Sequence, residues 1–393
     1  MRSRTRKRPR IALALAGGGP LGAIYEVGAL CALEEALDGV AFARLDHYVG
    51  VSAGGFIAAA LANGMTPREI CAAFIEGRAE ADVFDPAWLL VPAWGEFARR
   101  GRMLPGIATS ALWRATLGRR PVSQSLEELG RALPTGIFSS DVMEARLAQA
   151  FSRPGRSNDF RRLRTKLTLV ATDLDTGEAA PFGRPGWDHV PISKAVQASS
   201  ALPGLFPPVQ VGEHSYVDGA LKKTMHASVA LEEGVDLLLC LNPLVPFDAR
   251  RADIPRIADG GLPAVMSQTF RTMIHSRMEL GMKHYERAYP GTDVVLVEPD
   301  ARDPELYLAN TFSYSQRRRL AEHAYRQTRA MLRSRRSRLA PRFARHGITL
   351  REDVLAQPGR HLVQPGEAAT RLGRAMASLH EVLDDLGHVL QPA

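Results

Sequence analysis

Apolar residues in the first sixty positions form two kinds of pattern that alternate along the chain. The continuous apolar run Ile11–Ala16 predicts a buried strand, because it is too short for a helix and shows no alternation of apolar and polar positions. Beyond a glycine-rich turn, apolar residues at helical spacing predict a helix over Ala23–Leu37. The pattern repeats with a short strand at His47–Val51 and a small, apolar helix at Ala53–Ala62, which we expect to pack against a sheet.

This alternation of strand and helix continues to about residue 299. Strands that alternate with helices across short connections predict an α/β fold, in which helices cover both faces of a parallel or mixed sheet. The later predicted strands are Leu167–Ala171, Ser215–Val217, Leu237–Leu241 and Val294–Val297.

Two stretches depart from the pattern and define the predicted domain organisation. Residues 81–135 contain three of the four tryptophans, interrupted by prolines and arginines, and predict a helical, cap-like insertion with a small core of its own. After residue 299 the strand signals stop, and a basic helix is predicted at Ser313–Arg338. We therefore expect a basic tail over residues 1–9, an α/β domain over 10–299 and a basic helical extension over 300–393.

The last predicted helix carries a continuous apolar seam. Its apolar residues follow one another at alternating steps of four and three, which is the spacing at which one helix packs against another. We expect this helix to dock on the body of the protein or to pair with a second copy in a homo-oligomer. The seam consists of Leu372, Met376, Leu379, Leu383, Leu386 and Leu390.

Composition and charge narrow the class of protein and its partners. The 393 residues are 45% hydrophobic, which fits one large folded domain with an appendage rather than a disordered chain. The formal net charge is +8, and the excess arginine is concentrated at Met1–Arg10 and Arg317–Arg345. Either this basic surface is only solvated, or the C-terminal helix binds an anionic membrane surface; nucleic acid is not an expected partner.

The chain shows no sequence signal for export, membrane insertion or metal binding. The apolar run after the basic N-terminus is too short for a secretory signal, and no segment has the roughly 18 uninterrupted apolar residues of a membrane-spanning helix. We therefore expect a cytoplasmic protein that is at most peripheral at a membrane. Cys31, Cys71 and Cys240 have neither the pairing of a disulfide scaffold nor metal-ligand spacing, so neither a metal nor another cofactor is expected.

One serine has the surroundings of a nucleophile. In Gly50-Val51-Ser52-Ala53-Gly54 it lies where a predicted strand meets a predicted helix, and Gly50 and Gly54 permit the sharp turn of a nucleophile elbow. The hydroxyl then projects above the sheet at a helix N-terminus, which favours developing negative charge. Taken alone, the pentapeptide equally fits a serine that caps a buried helix.

The glycine-rich turn Gly17–Gly22 has two interpretations. It matches the G-x-G-x-x-G fingerprint of dinucleotide-binding proteins, but the acid about 20 residues on, Asp38, falls at a predicted helix end rather than at the tip of a second strand. Alternatively, the first three glycines form an oxyanion hole, because residues without side chains let an oxygen approach the backbone amides. Ser52 after the next strand favours the second interpretation, since adjacent parallel strands bring both turns to one edge of the sheet. The predicted donors are Gly17, Gly18 and Gly19.

A carboxylate is the expected base for this serine. Asp218 follows a strand-like stretch, and Gly219 permits a tight turn that aims the carboxylate at a fixed point. By itself Asp-Gly is a routine hairpin turn, and an aspartate serves as base only when it is held against the serine in a dry pocket. A Ser-His-Asp triad is the second interpretation, although no histidine lies in a recognisable motif. The histidines that follow the serine are His189, His214, His226, His275 and His284, of which His226 and His275 fall in predicted helices.

These motifs, in this order, resemble the patatin-like phospholipase family. The matching blocks are Gly-Gly-Gly-x-x-Gly at 17–22, Gly-x-Ser-x-Gly at 50–54, Ala-Thr-Asp-Leu-Asp-Thr-Gly at 171–177, Ala-Ser-Ser-Ala-Leu-Pro at 198–203 with Leu-Phe-Pro-Pro at 205–208, and Asp-Gly-Ala at 218–220. The resemblance covers about Arg10 to Pro299. It implies a three-layer α/β/α core with a mostly parallel sheet, and hydrolysis of ester-linked acyl chains of lipids without a cofactor. It also implies that Ser52 is the nucleophile and that Asp218 is its base.

The sequence departs from the family at two positions. Leu21 stands where the family usually has a basic residue, and Ala220 stands where glycine is common. The glycines of the predicted oxyanion hole are intact, so only a contact made by the missing cation is lost. Three alternatives stay open: a dinucleotide-dependent enzyme, a Ser-His-Asp esterase or thioesterase, and a non-catalytic membrane-surface protein on the same scaffold. The substrate alternatives are phospholipid, lysophospholipid, neutral glyceride and thioester.

Overall fold

The computed structural model of the chain describes residues 8–77, 86–102, 105–106, 130, 132–251, 256–309 and 316–363. The main sheet has the strand order β6-β7-β4-β3-β1-β8-β9, with β5 also paired to β4, while β2 and β10 form a separate two-stranded sheet. The strands are β1 (Ile11–Leu15), β2 (Leu37–Asp38), β3 (His47–Gly50), β4 (Lys166–Asp173), β5 (Ala179–Phe182), β6 (Val209–Val211), β7 (His214–Asp218), β8 (Leu237–Leu241), β9 (Asp293–Val297) and β10 (Thr349–Leu350).

The pairing of the strands fixes which ends meet. Strands β4, β3, β1, β8 and β9 are parallel to one another, so their carboxyl ends share one edge of the sheet. Strand β3 pairs with β4 only as far as Leu169, and the antiparallel β7 pairs with β4 from Ala171 onward. Strand β5 pairs with the other edge of β4 at both Leu169 and Ala171. Strands β3 and β7 therefore lie along the same edge of β4, one after the other, and their carboxyl ends face each other.

Helices cover both faces of this sheet. Alternate residues of a strand face opposite sides: Leu13 and Leu15 pack into the larger core cluster, and Ala12 and Ala14 pack into the smaller one. The predicted three-layer α/β/α fold is confirmed. The helices are α1 (Gly19–Ala36), α2 (Ala53–Ala62), α3 (Pro67–Cys71), α4 (Trp94–Gly101), α5 (Asp141–Phe151), α6 (Ile192–Ser199), α7 (Ser228–Leu231), α8 (Gly261–Ala288), α9 (Pro304–Leu308), α10 (Arg317–Ser334), α11 (Arg336–Arg345) and α12 (Glu352–Leu355).

The larger core lies between the sheet and helices α1, α2, α5, α6 and α10, whereas α7 and α8 cover the other face. Helix α10 packs along α1. The close approach depends on Gly28, where an added Cβ would lie 2.3 Å from the carbonyl oxygen of Ala321. Tyr325 and Leu320 of α10 are fully buried in this contact. The arginine-rich helix is therefore built into the core through an apolar face, and its arginines other than the buried Arg329 are partly or fully exposed.

Several local predictions differ from the structure. Helix α1 begins at Gly19 rather than at Ala23, because Pro20 is compatible with the first turn of a helix. His226 lies in a turn with φ 46°, so its predicted place in a helix is wrong. Strands β5 and β6 were not predicted, since they are only four and three residues long. The basic helix is described from Arg317 and gives way to α11 after Ser334.

Parts of two predicted regions fall outside the described residues. Of the insertion at 81–135, the description includes α4 and its flanking loops, while most of 103–131 is excluded. The apolar seam from Leu372 to Leu390 also lies outside it, so its docking or pairing stays a prediction. Across the described ranges, no helix is both long enough and apolar enough to cross a membrane.

Candidate active site

Ser52 occupies a strained turn between β3 and α2. Its backbone has φ 53° and ψ −126°, and such a conformation costs a residue with a side chain on the order of 1–3 kcal/mol. The turn presents the side chain at the N-terminus of α2, where developing negative charge is favoured. The whole residue is only 7% exposed, so its hydroxyl lies in a recess rather than on the open surface.

The flanking glycines are required by close backbone contacts. A Cβ added to Gly50 would lie 2.6 Å from the Cα atom of Gly55, and one added to Gly54 would lie 2.5 Å from the carbonyl oxygen of Ala16. These distances are too short for any side chain. The elbow therefore packs directly against the carboxyl end of β1, which brings Ser52 next to the glycine-rich loop.

A second serine holds the elbow in place. The Ser52 amide donates a hydrogen bond to the Ser199 hydroxyl oxygen (2.9 Å), and that hydroxyl donates to the carbonyl oxygen of Val170 (2.6 Å). Ser199 is the last residue of α6 and is fully buried. The sequence analysis did not identify this role, although the residue lies in the Ala-Ser-Ser-Ala-Leu-Pro block at 198–203.

Asp218 lies at the end of a strand that runs opposite in direction to the strand leading to Ser52. It ends β7, whose carboxyl end faces that of β3 across Val170 of β4. The following turn passes so close to β4 that a Cβ on Gly219 would lie 2.1 Å from the Val170 carbonyl oxygen. The same carbonyl therefore anchors both Ser199 and the turn after Asp218, and this common support brings the two predicted residues together.

The Asp218 carboxylate is buried next to two donor groups, the Ala220 amide and the Ser52 hydroxyl. It accepts a hydrogen bond from the amide (2.8 Å), and the neighbouring hydroxyl stabilises its charged form. Burial raises the pKa of Asp218 from its ordinary 3.8 to about 6, and the two donors limit the rise because they favour the charged form. The group is only 3% exposed. At neutral pH it is an unprotonated carboxylate next to a serine hydroxyl in a nearly dry site.

The glycine-rich loop presents unused amides beside Ser52. A Cβ on Gly17 would lie 3.0 Å from the Ser52 Cβ and 3.6 Å from its Oγ. Within the described residues, the amides of Gly17, Gly18 and Gly19 donate to no acceptor. Gly18 precedes α1 and is tightly packed, since a Cβ there would lie 2.8 Å from both Gly22 Cα and Pro243 Cγ. Free amides at a helix N-terminus next to a hydroxyl suit an oxygen that gains negative charge.

The geometry does not support the alternative in which a histidine is the base for Ser52. His226 is buried and follows Asp218 by eight residues; its Nε2 lies 3.2 Å from the Gly219 carbonyl oxygen, and burial lowers its pKa to about 4. His214 pairs with Asp173 at 3.0 Å, and His275 lies 3.6 Å from Glu279 on α8. No histidine in the described ranges hydrogen-bonds Ser52 or Asp218.

The dinucleotide alternative fails on the position of its acid. Asp38 lies on β2, which pairs with β10 in the small separate sheet and not beside β1. Its carboxylate bonds the neighbouring Gly39 amide on the surface. Asp38 therefore does not face the glycine loop in the way that a ribose-binding site requires. As for metals, the part of the chain that is described contains no group of three His, Cys, Asp or Glu side chains able to hold an ion.

Comparison with known families identifies the family of this chain. The sequence model described as patatin-like phospholipase matches residues 13–231, more than half of the chain. The chain belongs to the patatin-like phospholipase family. The matched region includes the glycine loop, the Ser52 elbow and Asp218.

More distant relatives share only part of their length with this member of the family. Two proteins named as uncharacterized NTE family proteins, from Mycobacterium tuberculosis and Mycobacterium bovis, are 27% identical over 257 residues. The match covers 65% of this chain but 33% of each relative, so the chain spans about a third of their length.

Two solved structures are similar at 18% identity. One is VipD from Legionella pneumophila (TM-score 0.39, covering 84% of this chain and 67% of that one), and the other is the type III effector protein ExoU (TM-score 0.33, covering 83% and 53%).

Proposed function

We propose that this protein hydrolyses acyl esters of lipids, with Ser52 as nucleophile and Asp218 as general base. The observation that carries the proposal is the position of the Ser52 hydroxyl next to the buried Asp218 carboxylate, whose charged form it stabilises, in a chain that belongs to a phospholipase family. The amides of Gly17, Gly18 and Gly19 are the proposed oxyanion hole.

The reaction follows from this arrangement in two halves. Ser52 Oγ attacks the ester carbonyl while Asp218 takes the hydroxyl proton, and the carbonyl oxygen becomes negative beside the glycine amides. The ester C–O bond then breaks, and the proton passes from Asp218 to the leaving alcohol. Water attacks the resulting acyl-enzyme by the same route, which releases the fatty acid and restores the Ser52 hydroxyl.

An aspartate can serve as the base because its surroundings raise its proton affinity. A carboxylate with the ordinary pKa of about 3.9 is a weak acceptor for a hydroxyl proton. Burial brings the pKa of Asp218 to about 6, which strengthens the base while leaving it deprotonated at neutral pH. Three adjacent amides share the new charge, so the dyad does not have to stabilise it alone.

The proposed setting is the cytoplasm, with the protein peripheral at a membrane where its substrates are found. The basic helices α10 and α11 are one candidate contact, but many of their arginines already have partners. Arg326 pairs with Glu322, Arg336 with Glu352 and Arg345 with Asp293. This pairing lowers the charge that is available to anionic head groups.

The test is labelling and turnover of the full chain. A fluorophosphonate probe labels the wild type and the control Ser267→Ala, which changes an exposed serine of α8, but not Ser52→Ala. A panel of phospholipid, lysophospholipid, glyceride and thioester substrates then identifies the acyl donor. Folded wild-type protein that neither reacts with the probe nor cleaves any ester on the panel contradicts the proposal. Full turnover by Asp218→Asn would show that another group is the general base.

A further inference from the structure

Helix α8 is much longer than the strands it covers. Its 28 residues extend about 42 Å, whereas a five-residue strand spans about 17 Å. The carboxyl half packs on the sheet through Met278 and Tyr285, and the amino half extends past the edge where the strands end. Two hydrogen bonds fix the crossing point: Thr224 Oγ1 donates to the Ile274 carbonyl, and Arg277 donates to the Leu221 carbonyl. Leu221 follows Asp218 by three residues, so the amino half lies beside the candidate active site.

This projecting helix has an exposed apolar stripe. Leu262 and Leu280 are 73% and 66% exposed, and Met266 and Met273 lie between them at steps of four and seven residues. These steps place all four on one side of a helix, opposite the side that carries the buried Met278. No described residue covers the stripe. From Gly261 to Met278 the helix contains no Asp or Glu.

A second exposed apolar patch lies on the other side of the site. Trp94 at the start of α4 is 72% exposed, and Phe97 and Ile137 are also exposed. The segment containing Ile137 is fixed to the loop after α6 by a bond from the Ile137 amide to the Leu205 carbonyl (3.0 Å) and by a bridge between Gly136 and Gly204. Because α6 ends at Ser199, which holds the Ser52 amide, this patch is connected to the same recess from the opposite direction.

The two patches have the chemistry of a surface that contacts lipid. In a bilayer the ester bonds of a phospholipid lie at the boundary between head groups and acyl chains, so an enzyme with a recessed serine must bring that edge of its fold against the membrane. Residues that flank the recess then enter the boundary, where tryptophan and large apolar side chains are favoured. Absence of acidic residues on the projecting half of α8 removes repulsion from phosphate groups.

We propose that the α8 stripe and the Trp94 patch insert into the surface of a phospholipid bilayer and hold the Ser52 recess against it. The inference rests on the proposed function, since it assigns a membrane-bound phospholipid as the substrate. In this proposal the main membrane contact is the apolar surface, rather than the basic helices α10 and α11. Apolar insertion predicts binding that persists at high salt, whereas binding through surface arginines weakens with salt.

The experiment uses full-length Ser52→Ala protein, so that turnover does not alter the vesicles, and measures co-sedimentation with phosphatidylcholine vesicles at 0.1 and 1 M NaCl. We expect binding at both salt concentrations. Met266→Glu/Met273→Glu in this background is expected to lower the vesicle partition coefficient at least tenfold, and Trp94→Glu severalfold. The matched control Ser267→Glu/Thr272→Glu adds the same charge at exposed positions of α8 away from the stripe and is expected to bind as before. Arg333→Glu/Arg338→Glu tests the basic helices and is expected to change binding less than twofold.

Several outcomes overturn the proposal. They are equal binding by the stripe variant and its control, loss of binding only in the arginine variant, or a stripe variant that dissociates a dimer without affecting vesicle binding. Hydrolysis of a dissolved short-chain ester separates this proposal from the proposed function. With Ser52 intact, Met266→Glu/Met273→Glu is expected to cleave that ester at the wild-type rate while losing activity on vesicles. Wild-type protein that binds vesicles through the stripe but cleaves no ester supports the surface and contradicts the hydrolase.

Discussion

Two buried carboxyl groups near the carboxyl edge of the sheet, Asp218 and Glu26, have the same chemistry and different surroundings. Asp218 has the Ala220 amide and the Ser52 hydroxyl as donors, and its pKa is about 6. Glu26, on α1 four residues after Gly22, is fully buried, and neither of its oxygens has a hydrogen-bond partner among the described residues. Burial raises the pKa of Glu26 well above its usual range, and the nearby Ala16 amide opposes this only in part.

The difference shows what makes a buried acid usable. Desolvation disfavours the charged form of both groups, but donors that bond the charged form restore it for Asp218. Burial without such donors therefore favours the protonated form of Glu26, while Asp218 gives its proton up near pH 6. A base must be both shielded and ionisable, and we infer that only Asp218 of this pair meets that requirement. The predictions below test the comparison in order of expected effect.

The largest effect is expected from Asp218→Asn. An amide keeps the size of the side chain but does not accept the Ser52 proton, so kcat on any ester substrate should fall by about 10³ or more. The stability change has the opposite sign. A raised pKa means that the folded state loses stability as the pH rises from about 3.8 through about 6, and the difference between these values is worth about 3 kcal/mol. Chemical denaturation should therefore show a gain of that order at pH 8 and little gain at pH 4.

The next effect is expected from Ser199→Ala. Without the Ser199 hydroxyl, the Ser52 amide and the Val170 carbonyl both lose a buried partner, and the elbow is free to shift. We expect kcat to fall by about 10- to 100-fold. The shift moves the Ser52 hydroxyl away from the Asp218 carboxylate, whose charged form it favours. The pH at which half of the activity is lost on the acidic side should therefore also rise above 6. A fall in kcat without this rise would show that Ser199 does not position Ser52 against Asp218.

A third effect is expected in the wild type when the pH is changed. The base must be deprotonated, so kcat/KM should rise about tenfold from pH 5 to pH 7, with a midpoint near 6. His226 is already neutral over this range, because its pKa is about 4. Initial rates on a dissolved ester measure the profile without interference from vesicles. A midpoint near 4 would mean that desolvation of Asp218 does not control catalysis.

The sequence was informative where function depends on local turns. Gly50 and Gly54 specify the elbow because no side chain fits at either position, and the glycine loop and Asp-Gly turn are equally local patterns. No local pattern indicates that β7 pairs with β4 beyond the point where β3 ends, since strand direction there depends on pairing between distant segments. The helix bounds of α2 were predicted correctly, because Ser52 and Asn63 delimit a continuous small apolar run.

Long-range partnerships were beyond the same reasoning. Ser199 is 147 residues from Ser52, and a single hydroxyl at a helix end has no local signature. The sequence predicted the basic helix, but not that its apolar face packs on α1. Helix α1 lies between the sheet and α10 and is buried nearly all round. Glu26 falls on this enclosed helix, which is why its burial could not be predicted from its sequence neighbours.

The smallest effect on activity is expected from Glu26→Gln. This substitution removes only the ionisable carboxyl group of Glu26, so the rate of hydrolysis of a dissolved ester should stay within about twofold of the wild-type rate. Because the Glu26 pKa is raised, the wild type loses stability as the pH rises above the ordinary value of about 4.5. The variant escapes this loss, so its free energy of unfolding relative to that of the wild type should be larger at pH 8 than at pH 5. If Glu26→Gln folds normally but reduces turnover as strongly as Asp218→Asn, the Glu26 carboxyl group takes part in catalysis. The lack of hydrogen-bond partners would then not distinguish a non-catalytic acid from a catalytic one.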